Sequence, residues 1–138
     1  MRKQKGFTLI ELVVVVMILG ILAAVAAPKL LGTSSTAADN GLKQTLGVVR
    51  DAIERSAAEH SGTLPSATID TDLVSNGYIR GTFPKSPLSG TADVKTVGTG
   101  APLTPDGSTA WMYSTLDGSF ICNSTGTSKS DGTAYKDY

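Results

Sequence analysis

The chain has 138 residues, with 12 basic and 12 acidic side chains and so no formal net charge at pH 7. That length suits one domain, and the balanced charge lacks the basic excess of a nucleic-acid binder. The single cysteine, Cys122, excludes an intrachain disulfide, and the single histidine, His60, excludes a His-rich metal site.

The chain opens on a short basic stretch, Met1 to Gly6, reading MRKQKG. Phe7 to Ala27 follows, a run of Leu, Ile, Val and Ala whose only charge is Glu11. As a helix this run measures roughly 31 Å, enough to cross a hydrocarbon core. Arg2, Lys3 and Lys5 lie on one side of it and only Lys29 follows closely on the other. The asymmetry puts the N-terminus in the cytoplasm and everything after Pro28 outside.

Beyond Pro28 the helical pattern continues. Leu42, Leu46, Val49, Ile53 and Ala57 recur at intervals of three and four, which makes one apolar stripe. Lys43, Gln44, Arg50, Asp51, Glu54 and Arg55 lie between them and read as a solvated face, with Asp51 and Arg55 spaced for a helix ion pair. Pro28, Gly32 and Gly41 are weak points where kinks are expected. Ser61-Gly62 ends the run and Pro65 prevents its return.

Residues 64–138 are rich in Gly, Ser, Thr and Pro. A short helix is expected over Asp72 to Asn76. Strands are expected at Asp93 to Val97, Ala110 to Thr115 and Ser119 to Asn123. The last two flank Leu116-Asp117-Gly118, a hairpin signal. Trp111, Tyr113, Phe120 and Cys122 alternate along these strands, so one hairpin face is expected to lie on the amphipathic half of the helix. The polar stretch Ser124 to Tyr138 is expected to be mobile.

The segment Gly6-Phe7-Thr8-Leu9-Ile10-Glu11 places one acid at the mouth of an apolar span, where a carboxylate is costly unless something uses it. This GFTLIE segment and the long apolar helix behind it resemble the prepilin signal of the type IV pilin superfamily, which includes type IV pilins and the pseudopilins of type II secretion. Gly20 and Pro28 stand where that family tends to have helix breakers. Gly77-Tyr78-Ile79 and Phe83-Pro84-Lys85-Ser86-Pro87 look loosely like the major pseudopilin type.

The resemblance implies an α+β, pilin-like fold: a long N-terminal helix, half transmembrane and half amphipathic, packed on a small antiparallel sheet. It implies a cleaved leader (1–6), a transmembrane and filament-core helix (7–28) and an exported domain (29–138). A prepilin peptidase would cut between Gly6 and Phe7, and the new Phe7 amine would be methylated. In the filament, Glu11 of one subunit would face the Phe7 amine of another. The implied function is a structural subunit of a type II secretion pseudopilus. The alternatives are a pilin of a surface pilus serving adhesion, motility or DNA uptake, and a membrane-anchored binding module that never polymerises. The implied partners are other copies of the chain, minor pilins or pseudopilins, the prepilin peptidase and an inner-membrane assembly platform. The subunit would wait in the inner membrane, N-terminus cytoplasmic, before joining a periplasmic or surface filament. No enzymatic activity, cofactor or nucleic acid is implied.

Several features have simpler readings. A secretory signal peptide could end at Ala24-Val25-Ala26, but Glu11 and the length of the run argue against it. His60 reads as a helix-end residue without a nucleophile turn nearby. Cys122 reads as a buried small hydrophobe. Asp70 and Asp72 read as helix-capping residues rather than calcium ligands. Gly98 to Ser108 offers one acid, Asp106, and Asp117 sits in a turn, so no metal site is expected. Asn123-Ser124-Thr125 is a glycosylation sequon, common by chance.

Overall fold

A computed structural model describes residues 6–98, 100 and 102–138, and the side chains of all of these except 30 and 31. Helix α1 covers Leu9–Glu59 and contains Pro28 without a break in its assignment. Helix α2 covers Ile69–Ser75. Strands β1, β2 and β3 cover Val94–Val97, Trp111–Ser114 and Phe120–Cys122. A 3-10 turn at Tyr135–Asp137 closes the order. The chain forms two compact units, Met1–Ser34 and Ser35–Tyr138.

In the second unit, α1 buries the expected stripe: Leu42, Leu46, Val49 and Ile53 are core residues, joined by Ala52. The helix stops where sequence places the stop. The Gly62 N–H donates to the Ala57 carbonyl at 2.7 Å, and Ser61 takes the left-handed conformation at φ 56°. This is a Schellman closure with serine at the position glycine usually holds. Helix α2 begins three residues before the expected start. Asp72 accepts hydrogen bonds from the Ser66 N–H at 3.1 Å and the Ser66 hydroxyl at 2.6 Å. That draws the preceding loop back onto the first turn.

The sheet is mixed, which corrects the expectation of an antiparallel one. β2 and β3 are antiparallel, with Tyr113 opposite Phe120 and Trp111 opposite Cys122. β1 pairs with β2 in parallel, Val94 opposite Trp111. The connection between β1 and β2 therefore has to cross back instead of turning. Asn123 holds part of that connection. Its side-chain oxygen accepts from the Asp106 N–H at 2.8 Å, and its amide nitrogen donates to Asp106 Oδ1 and Thr109 Oγ1, both at 2.8 Å.

Trp111, Tyr113, Phe120 and Cys122 share one cluster with the α1 stripe, Ile69, Leu73, Ile79 and Phe83. The Trp111 and Phe120 ring centroids are 5.4 Å apart. The polar ends of the large rings are satisfied: Trp111 Nε1 donates to the Pro84 carbonyl at 3.1 Å and the Tyr113 hydroxyl to the Pro65 carbonyl at 3.0 Å. These two bonds fix the loops on either side of α2 to the sheet.

Residues 124–138 are not a loose tail. Thr127 and Ala134 form a bridge, and the Ser128 N–H donates to the Thr133 carbonyl at 2.8 Å. Three α1 residues hold the segment. Asp39, 2% exposed, accepts from the Ser128 hydroxyl at 2.6 Å and from the Ser130 hydroxyl. Lys43 pairs with Asp131 at 3.4 Å and lies 4.1 Å from the centre of the Tyr138 ring. Arg50 donates to the Phe120 carbonyl at 3.0 Å and the Tyr138 carbonyl at 2.6 Å. Lys43 and Arg50 are thus tertiary anchors rather than members of a solvated face. Arg55 donates to the Tyr78 carbonyl at 2.9 Å instead of pairing with Asp51.

Candidate functional site at the start of the first helix

The apolar run forms a helix. Every described side chain from Phe7 to Lys29 is exposed, and Phe7 is 80% so. A soluble chain hides such a surface. This helix is long and apolar enough to cross a membrane, and the apolar window is unburied throughout.

Glu11 lies in the first turn of α1, four residues after Phe7. Thr8 stands at the N-cap position, since the Leu12 N–H donates to its carbonyl at 3.3 Å. The Thr8 N–H donates to Glu11 Oε2 at 2.8 Å and the Thr8 hydroxyl to the same oxygen at 2.7 Å. In return the Glu11 N–H reaches the Thr8 hydroxyl at 3.4 Å. This reciprocal arrangement is a capping box, and it satisfies backbone donors that a helix start leaves free. The signal was present in the sequence as Thr-x-x-Glu ahead of an apolar run. Reading Glu11 only as an isolated acid passes over Thr8.

The other predicted site residues fall as follows. Gly6 and Phe7 precede the helix, and the remaining leader residues, 1–5, lie outside the described residues. Gly20 and Pro28 both lie inside α1, and a side chain at Gly20 would meet nothing within 4 Å. Helix α1 runs through Gly20 to Ala27.

The polar features elsewhere are structural. His60 Nδ1 sits 2.8 Å from the Ser56 carbonyl at the end of α1. Cys122 is buried, and burial pushes its thiol up to about 11. Asn123 is 2% exposed with both ends of its amide engaged, which withdraws the sequon from modification in the folded chain. Among the described residues no group of three or more His, Cys, Asp or Glu side chains could hold a metal ion.

An unburied apolar helix capped by Thr8 and Glu11, ahead of a small α+β unit, fits a membrane-anchored protein with an N-terminal prepilin-type start. The profile of the prokaryotic N-terminal methylation motif matches residues 1–27. Competence protein ComGC of Bacillus subtilis (strain 168) is 30% identical over 77 residues, 56% of this chain and 76% of that protein. Prepilin peptidase-dependent protein D of Escherichia coli (strain K12) is 45% identical over 62 residues, 45% of this chain and 42% of that protein. Type II secretion system core protein G of Vibrio cholerae serotype O1 (strain ATCC 39315 / El Tor Inaba N16961) is 62% identical over 37 residues, 27% of this chain and 25% of that protein. The chain thus spans less than half the length of the last two relatives. No solved structure matches it. The chain belongs to the type IV pilin superfamily. Its relatives include a fimbrial protein and type II secretion system core proteins.

Proposed function

We propose that the chain is a structural subunit of a type IV pilus-like filament, in particular a pseudopilin of a type II secretion system. The observation that carries this reading is the GFTLIE start on an apolar helix whose described side chains are exposed. The subunit waits in the inner membrane with its N-terminus in the cytoplasm. A prepilin peptidase cuts between Gly6 and Phe7, where the absence of a side chain on Gly6 leaves room at the scissile bond. Loss of Arg2, Lys3 and Lys5 leaves the side chains with three more acids than bases. The apolar helices of many copies then pack together, with Glu11 of one copy against the Phe7 amine of the next. A charge left unpaired in that core is heavily penalised, so the pair enforces register. Minor pilins or pseudopilins and an inner-membrane assembly platform are the further partners.

A surface pilus is the second reading. The relationship to a competence protein extends over more of the chain than that to a secretion core protein. The test for both is to express the chain with a prepilin peptidase and an assembly platform, then examine the sheared fraction by electron microscopy and mass spectrometry. Fibres built from a chain starting at methylated Phe7 support the filament reading. A membrane-bound, uncut chain without fibres refutes it. Deleting the gene in its own host separates the two readings: a pseudopilin mutant loses exported proteins, and a pilin mutant loses surface fibres.

A further inference from the structure

Five Asn-Gly and Asp-Gly pairs occur in the chain: Asn40-Gly41, Asn76-Gly77, Asp106-Gly107, Asp117-Gly118 and Asp131-Gly132. In such a pair no side chain shields the glycine nitrogen, which can attack the Cγ of the residue before it and close a five-membered imide. The fold separates the five. The three aspartates are held as carboxylates. The Lys95 ammonium does this for Asp106, the Ser114 hydroxyl for Asp117 and the Thr133 N–H for Asp131, each keeping the carboxyl below its usual range. An ionised carboxylate is a poor electrophile with no good leaving group. Asn40 and Gly41 lie within α1 between the buried Asp39 and Leu42, so helix and core together hold their backbone.

Asn76 differs on each count. Its amide carries its own leaving group, and it stands at the C-cap of α2, a helix of seven residues. Asn76 and Gly77 are exposed, and a side chain at Gly77 would meet nothing within 4 Å. Asn76 also borders a cleft of about 380 Å³, shared with His60 and Asp72, which admits water. The restraint on it is the helix cap. Asn76 Nδ2 donates to the Asp72 carbonyl at 2.8 Å and the Gly77 N–H to the Val74 carbonyl at 3.1 Å. The Asn76 ψ is 2°, and ring closure needs the Gly77 nitrogen swung into line with the Cα–Cβ bond. The cap therefore has to open before the attack, and releasing these two bonds moves only exposed residues.

We propose that Asn76 is the chain's site of spontaneous deamidation, gated by opening of the α2 cap. The Gly77 nitrogen bonds to Asn76 Cγ and gives up its proton to water. The Cγ–Nδ2 bond breaks, and Nδ2 takes up a proton and leaves as ammonia. Water then opens the imide at either carbonyl, leaving an aspartyl or isoaspartyl unit at position 76. The net change is one water consumed and one ammonia released, with nothing oxidised or reduced. The product lacks the Nδ2 donor and sets a carboxylate against the last carbonyls of α2, where negative charge is unfavourable. The cap of a converted chain is looser than that of a new one.

The full chain in mild detergent is incubated near neutral pH, folded and in guanidinium chloride, and its peptides are mapped by mass spectrometry with isoaspartate-specific methylation. Each folded rate is divided by the denatured rate of the same site, which removes the effect of neighbouring residues. Asn76 is expected to be slowed about tenfold by folding, the restraint of one ordinary cap. Asn40 should be slowed at least about a hundredfold, since its reaction needs a larger opening. The Asp-Gly pairs should convert more slowly than Asn76 in the folded chain. Asn76→Gln, which can close only a six-membered ring, should remove the folded chain's conversion. In converted chains the Gly77 and Ile79 amides should exchange faster with solvent. The assignment is overturned if folding slows Asn40 no more than Asn76, if any Asp-Gly pair converts first, or if Asn76 is inert in the folded chain. Equal rates at Asn76 in folded and denatured chain also overturn it, because the cap would then exert no control.

Discussion

Replacing Gly118 with alanine tests the hairpin that sets β3 against α1. Gly118 sits at φ 75° in the β2–β3 turn, where its N–H donates to the Ser114 carbonyl at 3.0 Å. An alanine in that conformation costs about 1–2 kcal/mol, because its Cβ crowds the following carbonyl. A Cβ built there also falls 2.9 Å from Leu64 Cδ2 and 3.7 Å from Ile53 Cγ2. The Leu64 methyl is the end of a flexible side chain, so relief of the clash belongs at the low end of overpacking costs, about 1 kcal/mol. Alanine also restricts the unfolded chain, which returns roughly 0.4–1 kcal/mol. The net expectation is a loss of about 1–2.5 kcal/mol. Trp111 is the only tryptophan and is fully buried beside this turn's strands, so its fluorescence reports the unfolding directly. Urea unfolding of the full chain in mild detergent should show a lower midpoint with an unchanged slope. An unchanged or raised midpoint would refute the reasoning, since it would mean that the turn relaxes freely.

Other outcomes follow from the same contacts. Ser61→Gly should stabilise the unit Ser35–Tyr138 by up to about 1 kcal/mol, read as a higher unfolding midpoint, because Ser61 already holds a positive φ. Glu11→Ala should insert into membranes at least as well as wild type and yet give few or irregular fibres. Cys122 should resist a thiol-alkylating reagent in the folded chain and react after denaturation, because its burial disfavours the thiolate. Acid should loosen the 124–138 segment. The Ser128 and Ser130 hydroxyls hold the Asp39 carboxyl below the usual range, and the Thr133 N–H does the same for Asp131. Depressed carboxyls contribute stability above their unfolded value of about 4 and lose it as pH falls through the folded values. Hydrogen exchange in 124–138 should therefore be level between about pH 5 and 8 after correction for intrinsic rate, and its protection should fall in stronger acid. Equal protection at low pH would count against the three-anchor account.

The start of α1 and its apolar span could be read directly, because they depend on local pattern. Twenty-one residues with one charge can satisfy their backbone in lipid only as a helix, whatever the rest of the chain does. The same holds for the stripe from Leu42 to Ile53, the stop at Ser61-Gly62 and the β2–β3 hairpin. Each is encoded within a few neighbouring residues by period, turn chemistry or a missing Cβ. The capping box was equally local, and Thr8 could have been found from its spacing to Glu11.

The parallel pairing of β1 and the docking of 124–138 were decided by contacts across long stretches of chain. Nothing near Val94–Val97 shows whether the strand turns or crosses before reaching β2. That depends on Asn123, far along the chain, reaching back to the loop at Asp106. Residues 124–138 look unstructured because they have almost no apolar pattern. Their order comes from Asp39, Lys43 and Arg50, spaced four and seven apart on α1 and so set on one helix face. Those three residues have the composition of a solvated surface. Only the returning chain turns them into anchors, because a hydrogen bond between distant residues leaves no periodicity in the sequence on either side.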